Sequence, residues 1–370
     1  MQPKRLTFLA VGDVILGPNP DYYFLPSKAV LKQADILLGQ LEVPYTDRDA
    51  PTVELGRSPD MLKSLVDTGF HIVSLAGNHL WDAGVAGIED TINWLKRHNV
   101  AYVGAGMNLE EARSHVIIER DGTRFGFLDY NCVGPKETSA SSTRPGCAFI
   151  NVITHYELEH ATPGGPPTIY TWAETETLNA MLNDIRKLRS LCDILVVSFH
   201  KGLGHTPIKL AAYERQVSYA AIDAGADIVT GHHAHILRGI ELYKGKPIYH
   251  GLCNFVAYVP SLIAKPGQDP NSWEVRRKEL FGFEPDPEYP TYPFHPEAIY
   301  TIIAKCIIES GKLSRISCIP CIVNKKGQPE IVRNDIQGKR VFDYLNKISK
   351  GAGLSTKYRW EDDEIICELQ

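Results

Sequence analysis

The chain has 370 residues, of which 44% are hydrophobic and 22% charged, with a formal net charge of −5. That is enough apolar material for a packed core and a length that suits one large domain or two ordinary ones. A mildly acidic balance argues against nucleic acid as a partner, since that needs a basic face. No stretch approaches the ~18–20 apolar residues of a membrane span.

The chain opens with Lys4 and Arg5, then an apolar run from Leu6 to Val11 that Asp13 interrupts. The run is too short for a secretory core with a small-residue cleavage site, so it reads as a buried first strand. Further strand-like runs follow at 34–42 (ADILLGQLE), 71–78 (HIVSLAGN), 124–131 (RFGFLDYN), 193–200 (DILVVSFH), 226–233 (ADIVTGHH) and 247–256 (PIYHGLCNFV). Helix-like runs lie between them at 58–69, 85–99, 175–191 and 209–225. Thr175 and Thr177 are N-cap options for the third, and Gly225 is a natural stop for the fourth. Strands alternating with helices indicate an α/β fold.

Two segments break this rhythm. Residues 134–171 are rich in Gly, Pro, Ser and Thr, and residues 260–297 in Pro and aromatics. Loops this long are usually functional, and the aromatics of the second argue that it is ordered on the body. Residues 298–333 read as a β-hairpin or meander, 335–351 as a helix and 364–369 as a short strand. The expected organisation is a core over 1–260, a substrate-framing loop over 261–297, and a β-rich elaboration over 298–370 packed on the core.

The eight cysteines are scattered, which argues against a disulfide framework and for a soluble, cytoplasmic protein with reduced thiols. Cys318 and Cys321 form a C-x-x-C, but it lies in a strand-like run and lacks the two further ligands of a structural zinc site.

The polar residues carry more information. Successive apolar runs end at Asp13, Glu42, Asn78 and His79, His200, the cluster His232, His233 and His235, and Asn254. Each alone has a plain structural explanation: a turn cap, a turn residue, a satisfied core histidine. In open α/β sheets, however, ligands bind beyond the carboxyl ends of the strands, so these groups are expected to converge. Two carboxylates, an amide oxygen and three or more imidazoles suit manganese, iron or zinc and not an all-oxygen calcium site. On an extended backbone His233 and His235 point to one side and His232 to the other.

The series Gly12-Asp13, Glu42, Gly77-Asn78-His79, His200 and Gly231…His233-Ala234-His235 resembles the calcineurin-like metallophosphoesterase signature. It resembles more closely the CapA branch, the poly-γ-glutamate capsule-synthesis proteins, over about residues 5–260. The resemblance implies a four-layer α/β/β/α sandwich and one or two divalent ions. One ion would take Asp13, Glu42 and His235; the other would take Glu42 as a bridge with Asn78, His200 and His233. His79 would stand unligated as general acid, with Asp82 orienting it. The sequence departs from the phosphoesterase pattern at Ile15, where that signature has a histidine, and at Glu42, where it has an aspartate; both are usual in the CapA branch. Lys201 and Gly204 stand where an aromatic and an acid are frequent, and His205 is added. The implied activity is metal-dependent hydrolysis of a carboxylate-bearing amide or peptide, γ-glutamyl-like, or of a phosphoester. The partner expected is thus a small or peptide-like anionic substrate, with no nucleic acid and no membrane anchor; the oligomeric state is not set. Arg57, Lys201, His205, Asn254, Arg276 and Arg277 are the candidates for contacting that substrate. The alternative is a non-catalytic metal- or ligand-binding subunit of polymer synthesis.

Overall fold

The computed structural model describes residues 5–48, 57–157, 167–265, 267–269 and 271–368. Lys4 and the Gly/Pro-rich stretch 161–166 lie outside the described residues.

The strands run in chain order as β1 (Arg5–Ile15), β2 (Ile36–Leu41), β3 (Ile72–Ser74), β4 (Ala101–Val103), β5 (Ala105–Gly106), β6 (Val116–Arg120), β7 (Thr123–Asn131), β8 (Gly146–Cys147), β9 (Val152–Glu157), β10 (Thr168–Ala173), β11 (Ile194–His200), β12 (Ile228–His232), β13 (Ile240–Tyr243), β14 (Lys246–Tyr249), β15 (Asn254–Ala257), β16 (Tyr300–Glu309), β17 (Lys312–Val323), β18 (Pro329–Ile331), β19 (Lys357–Glu361) and β20 (Glu364–Glu368). The helices are α1 (Pro20–Phe24), α2 (Lys28–Leu31), α3 (Lys63–Thr68), α4 (Gly84–Arg97), α5 (Leu109–Ala112), α6 (Thr175–Arg189), α7 (Ala212–Ala224), α8 (Trp273–Phe281) and α9 (Ile336–Gly351). Among the described residues no helix is long and apolar enough to cross a membrane.

Two mixed sheets form the centre. The first has the order β19-β20-β17-β16-β1-β2-β3-β4, with β15 on β1 and β18 on β17; the second has the order β13-β14-β12-β11-β7-β6. Strand alternation explains how they stack. In the second sheet Ile194, Val196 and Ile228 share one face and join the apolar cluster of the first sheet. Their neighbours Leu195, Val197 and Val229 face Met181, Ile185 and Leu188 of α6 and Val217 and Ala221 of α7. On the first sheet, α4 packs by Ile88, Ile92 and Leu95, and α9 by Val341, Leu345 and Ile348. The result is the expected α/β/β/α sandwich.

Several local expectations give way. The run 247–256 is two strands in different sheets: β14 belongs to the second and β15 to the first. Both halves are buried, so apolarity alone cannot mark the crossing between them. The 134–171 segment contains the hairpin β9–β10, and 261–297 carries α8. The C-terminal strands are part of the first sheet itself, because β16 pairs with β1 from Arg5↔Glu309 to Ala10↔Ala304. β19, whose sequence KYRWE is mostly polar, gave no strand signal. Neither Thr175 nor Thr177 is the N-cap of α6; that position is Glu174, without a side-chain cap. Thr177 instead accepts from the Asn151 N–H at 3.1 Å. All eight cysteines are free and buried.

One glycine fixes how closely the strands approach. A Cβ on Gly12 would lie 1.9 Å from the Cys253 carbonyl oxygen, where β15 meets β1. Gly12→Ala must therefore push β15 away or distort β1. The expected cost is about 3 kcal/mol, read as a lower denaturant midpoint. An unchanged midpoint would show that β15 is free to shift.

Candidate functional site

Parallel strands from both sheets bring their carboxyl ends to one place. β1 supplies Asp13, the residue after β2 is Glu42, and the turn after β3 carries Asn78 and His79. From the second sheet, β11 ends at His200 and β12 at His232, followed by His233 and His235.

Asp13 and Glu42 are 0% and 1% exposed. Ligand atoms of Asp13, Glu42 and His235 all lie within 4.8 Å of one another. His235 Nε2 is 3.3 Å from Glu42 Oε1, and His235 Nδ1 is 3.9 Å from Asp13 Oδ2. Three carboxylate oxygens here, Asp13 Oδ1 and both of Glu42, are buried without a hydrogen-bond donor. Burial, reinforced by Glu42, drives Asp13 well above the usual carboxylate range. Burial likewise pushes Glu42 up to about 7. Buried, unpaired carboxylates are costly unless a cation compensates them. Two oxygens and an imidazole nitrogen fit a borderline divalent ion.

A second group of donors adjoins the first. Asn78 Oδ1 lies 2.7 Å from His200 Nε2 and 3.1 Å from His233 Nδ1. His200 Nε2 lies 4.0 Å from Glu42 Oε1, so Glu42 stands between the two groups. Burial holds His200, His233 and His235 below the ordinary imidazole range, with further lowering of His200 and His233 by neighbouring imidazoles. Each ring is therefore neutral at neutral pH and keeps one nitrogen lone pair.

The histidine turn is not the extended segment expected. β12 stops at His232, and His233 and His235 have φ of 85° and 49°. Left-handed backbone is uncommon for residues with a side chain and clusters at functional sites. The two rings reach their places through this turn, not by strand alternation. His232 is buried, its Nδ1 3.7 Å from Asp13 Oδ1.

Asn254 was expected to contact substrate. It is buried, and its Oδ1 lies 2.8 Å from His235 Nδ1. An amide oxygen there accepts the Nδ1 proton and leaves the Nε2 lone pair toward Glu42, a positioning role. His79, by contrast, is accessible, with a side chain 40% exposed and its Nδ1 2.7 Å from Asp82 Oδ2. It is close enough to influence Asp13, Glu42, His200, His233 and His235 electrostatically, so an exposed imidazole adjoins the buried centre.

The remaining candidates divide. Arg57 donates to the carbonyls of Leu16 and Tyr258 and acts electrostatically on Glu42. His205 is 8% exposed, and its ring lies 5.8 Å from that of His235 and edge-on to Phe281 and Phe283. Burial drives it down to about 2. Lys201 was expected to grip an anion, but it is wholly buried, 3.3 Å from His250 Nδ1 and 3.8 Å from Glu214 Oε2. It belongs to an internal network with Arg238–Glu214 at 2.6 Å and His250–Glu241 at 2.8 Å. Nothing in the sequence marked Glu214, Arg238, Glu241 and His250 as a network, since each meets partners that are distant along the chain. Arg277 is also buried: it donates to the carbonyls of Leu262 and Pro293 and lies over Trp273 and Phe283. It fastens the 261–297 segment to itself. Arg276 pairs with Glu279 on its own helix.

Both long segments flank this edge. Phe294 lies 5.0 Å from the His235 ring. On the other side of loop 201–205 is a groove of about 360 Å³ lined by Asn131, Lys136, Thr154, Thr171 and Leu203.

Comparison with known proteins identifies a family. The family described as "Bacterial capsule synthesis protein PGA_cap" matches residues 7–259. The "Capsule biosynthesis protein CapA" of Bacillus anthracis is 27% identical over 273 residues, 68% of this chain and 60% of its own length. The "PGA biosynthesis protein CapA" of Bacillus subtilis is 28% identical over 261 residues, 66% of this chain and 62% of its own length. A "probable polyglutamine synthesis accessory protein" of Mycobacterium tuberculosis is 29% identical over 225 residues, 59% of this chain and 54% of its own length. The chain thus spans 54–62% of the length of these relatives. Among solved structures, a novel phosphatase from Mycoplasma pneumoniae superposes with a TM-score of 0.50 at 11% identity, covering 86% of this chain and 94% of that one. That is a likeness of fold.

Proposed function

The chain belongs to the bacterial capsule synthesis protein family PGA_cap, and from that premise we propose that it is a metal-dependent hydrolase of a carboxylate-bearing amide or a phosphoester. The observation that carries this reading is that Asp13, Glu42 and His235 offer ligand atoms within 4.8 Å of one another while three of the four buried carboxylate oxygens have no donor. Manganese, iron or zinc is the ion the donor set suits. Asp13, Glu42 and His235 would hold one ion, and Glu42, Asn78, His200 and His233 a second. A divalent ion in such a centre supplies Lewis acidity and an activated water.

The chain's own residues supply the rest. Asn254 keeps His235 in the tautomer whose Nε2 is a lone pair. Asp82 accepts from His79 Nδ1 and so aims Nε2 outward, where it gives a proton to the departing group. Phe294 packs against the His235 ring, with Phe283 behind it on His205. The names of the relatives point to a glutamate-containing polymer or peptide as substrate.

A second reading, a non-catalytic metal-binding subunit of polymer synthesis, draws on the word "accessory" in one relative's name. It also draws on the burial of Lys201 and Arg277, two cations expected to grip an anion. Elemental analysis together with hydrolysis of an aryl phosphate and a γ-glutamyl anilide separates the two. Bound metal with chelator-sensitive turnover supports the hydrolase. Bound metal without turnover of either compound supports the subunit. A protein that takes up no manganese, iron or zinc rejects both.

Metal uptake should also depend on pH. Glu42 ionises near 7 in the metal-free protein, so below that pH an ion must displace its proton. Apparent affinity for Mn²⁺ is expected to rise with pH from the acid side through neutrality, because both raised carboxyls, Glu42 and Asp13, must give up their protons to the ion. Titrations from pH 5.5 to 8.5 check this; a flat profile would mean Glu42 is not a ligand.

A further inference from the structure

The turn that delivers Asn78 and His79 is gripped by side chains from both sheets. Asp129, in β7 of the second sheet, is 2% exposed. Its Oδ2 accepts from the N–H of Leu75 at 3.1 Å and of Ala76 at 2.8 Å. Gln40, in β2 of the first sheet, donates from Nε2 to the Ala76 carbonyl at 3.2 Å, and its Oε1 accepts from Ser74 Oγ at 2.7 Å. The N–H and the C=O of Ala76 are thus both held by buried side chains.

The sheet ladder reaches only as far as Leu75, whose N–H also meets the Val103 carbonyl of β4 at 3.0 Å; at Ala76, beyond the end of β3, buried side chains provide the hold. The approach is built in: a Cβ on Gly104 would lie 2.2 Å from Asp129 Oδ2. A buried carboxyl is expensive, and Asp129 Oδ1 has no partner at all, so core packing alone would favour an apolar residue here. What the carboxyl gains is a fixed link between sheets. Asn78 hangs from the first sheet, whereas His200 and His233, the rings its Oδ1 meets, hang from the second.

We infer that Asp129 is a positioning residue that sets Asn78 and His79 against the histidines of the other sheet. The inference rests on the reading of Asn78 as a metal ligand. It makes the Asn78–His200–His233 half of the centre depend on Asp129, while the Asp13–Glu42–His235 half does not.

Two variants of the full chain test it. Asp129→Asn keeps an oxygen facing the two N–H groups; Asp129→Leu keeps the branched shape, with bulkier methyl groups, and removes the acceptor. With Mn²⁺ as the probe, wild type and Asp129→Asn should bind two equivalents alike. Asp129→Leu, with native circular dichroism, should bind the first equivalent unchanged and the second about 10–100-fold more weakly, the usual cost of losing a group that orients a ligand. Should the Leu variant not fold, Asp129→Ser, whose hydroxyl is too short to reach Ala76, takes its place with the same expected result. Unchanged binding of both equivalents, or equal loss of both, overturns the inference. Amide exchange at Leu75 and Ala76 separates its failure from that of the functional reading. If wild type binds no Mn²⁺, the metal reading fails and the inference with it; if exchange quickens while both Mn²⁺ equivalents bind normally, only the inference fails.

Discussion

Glu42→Gln is expected to leave a protein that is more stable without metal and unable to hold metal. Glu42 has an oxygen 3.3 Å from His235 Nε2 and 4.0 Å from His200 Nε2, so both donor groups depend on it. Loss of an orienting contact behind a ligand typically costs 10–100-fold in metal affinity, so loss of a shared ligand should cost more than about 100-fold. Stability moves the other way. The folded-state ionisation of Glu42 is raised to about 7, above its unfolded value of about 4.3. A raised acid binds its proton more tightly in the native state, so its ionised form destabilises the metal-free fold as pH climbs from about 4.3 to 7. The amide carries no such charge. Chelator-treated Glu42→Gln should therefore match wild type near pH 4 and exceed it by on the order of 3 kcal/mol above pH 7. Denaturant melts at both pH values, with and without Mn²⁺, check this. A variant less stable than wild type at pH 7.5 in chelator would mean that Glu42 already has a compensating partner.

His79→Ala is expected to separate binding from chemistry. The ring is accessible and its Nδ1 is engaged by Asp82. Its loss should leave metal content at the wild-type level. General acid catalysis is typically worth about 10²–10⁴ in rate, so turnover should fall on that scale for substrates with poor leaving groups. Activated aryl esters need less protonation and should suffer less. Metal loss in His79→Ala would make the ring a ligand, and full activity on poor leaving groups would make it structural. Asp82→Asn should show the same selectivity with a smaller loss, because it disturbs the orientation of the proton donor and not its presence.

How much of this was legible depended on the range of the interaction involved. Period and apolarity are local, and they identified β1, β2, β7, β11 and β12, the helices α4, α6 and α7, and the meander of β16 to β18. The strand-end rule pointed to Asp13, Glu42, Asn78, His79, His200, the cluster His232, His233 and His235, and Asn254; the resemblance singled out six of them as ligands, and the structure brings Asp13, Glu42, Asn78, His200, His233 and His235 to one edge. The direction of a side chain is not local. Lys201 follows the last residue of β11 as a surface lysine would, yet Glu214, 13 positions on, and His250, 49 positions on, hold it inside. Asn254 looked like a substrate contact until the fold set it behind His235. Arg277 looked like part of a charged helical face, but carbonyls of Leu262 and Pro293 enclose it. Asp129 gave no signal at all, since its partners are backbone N–H groups 53 and 54 positions away in the other sheet. The sequence by itself determined which residue types arrive at the strand ends, because that follows from the alternation of short segments. Only the tertiary structure decided which of them face the centre and which lock the sheets together, because the partner of a buried charge is chosen by packing across elements that the chain connects only at a distance.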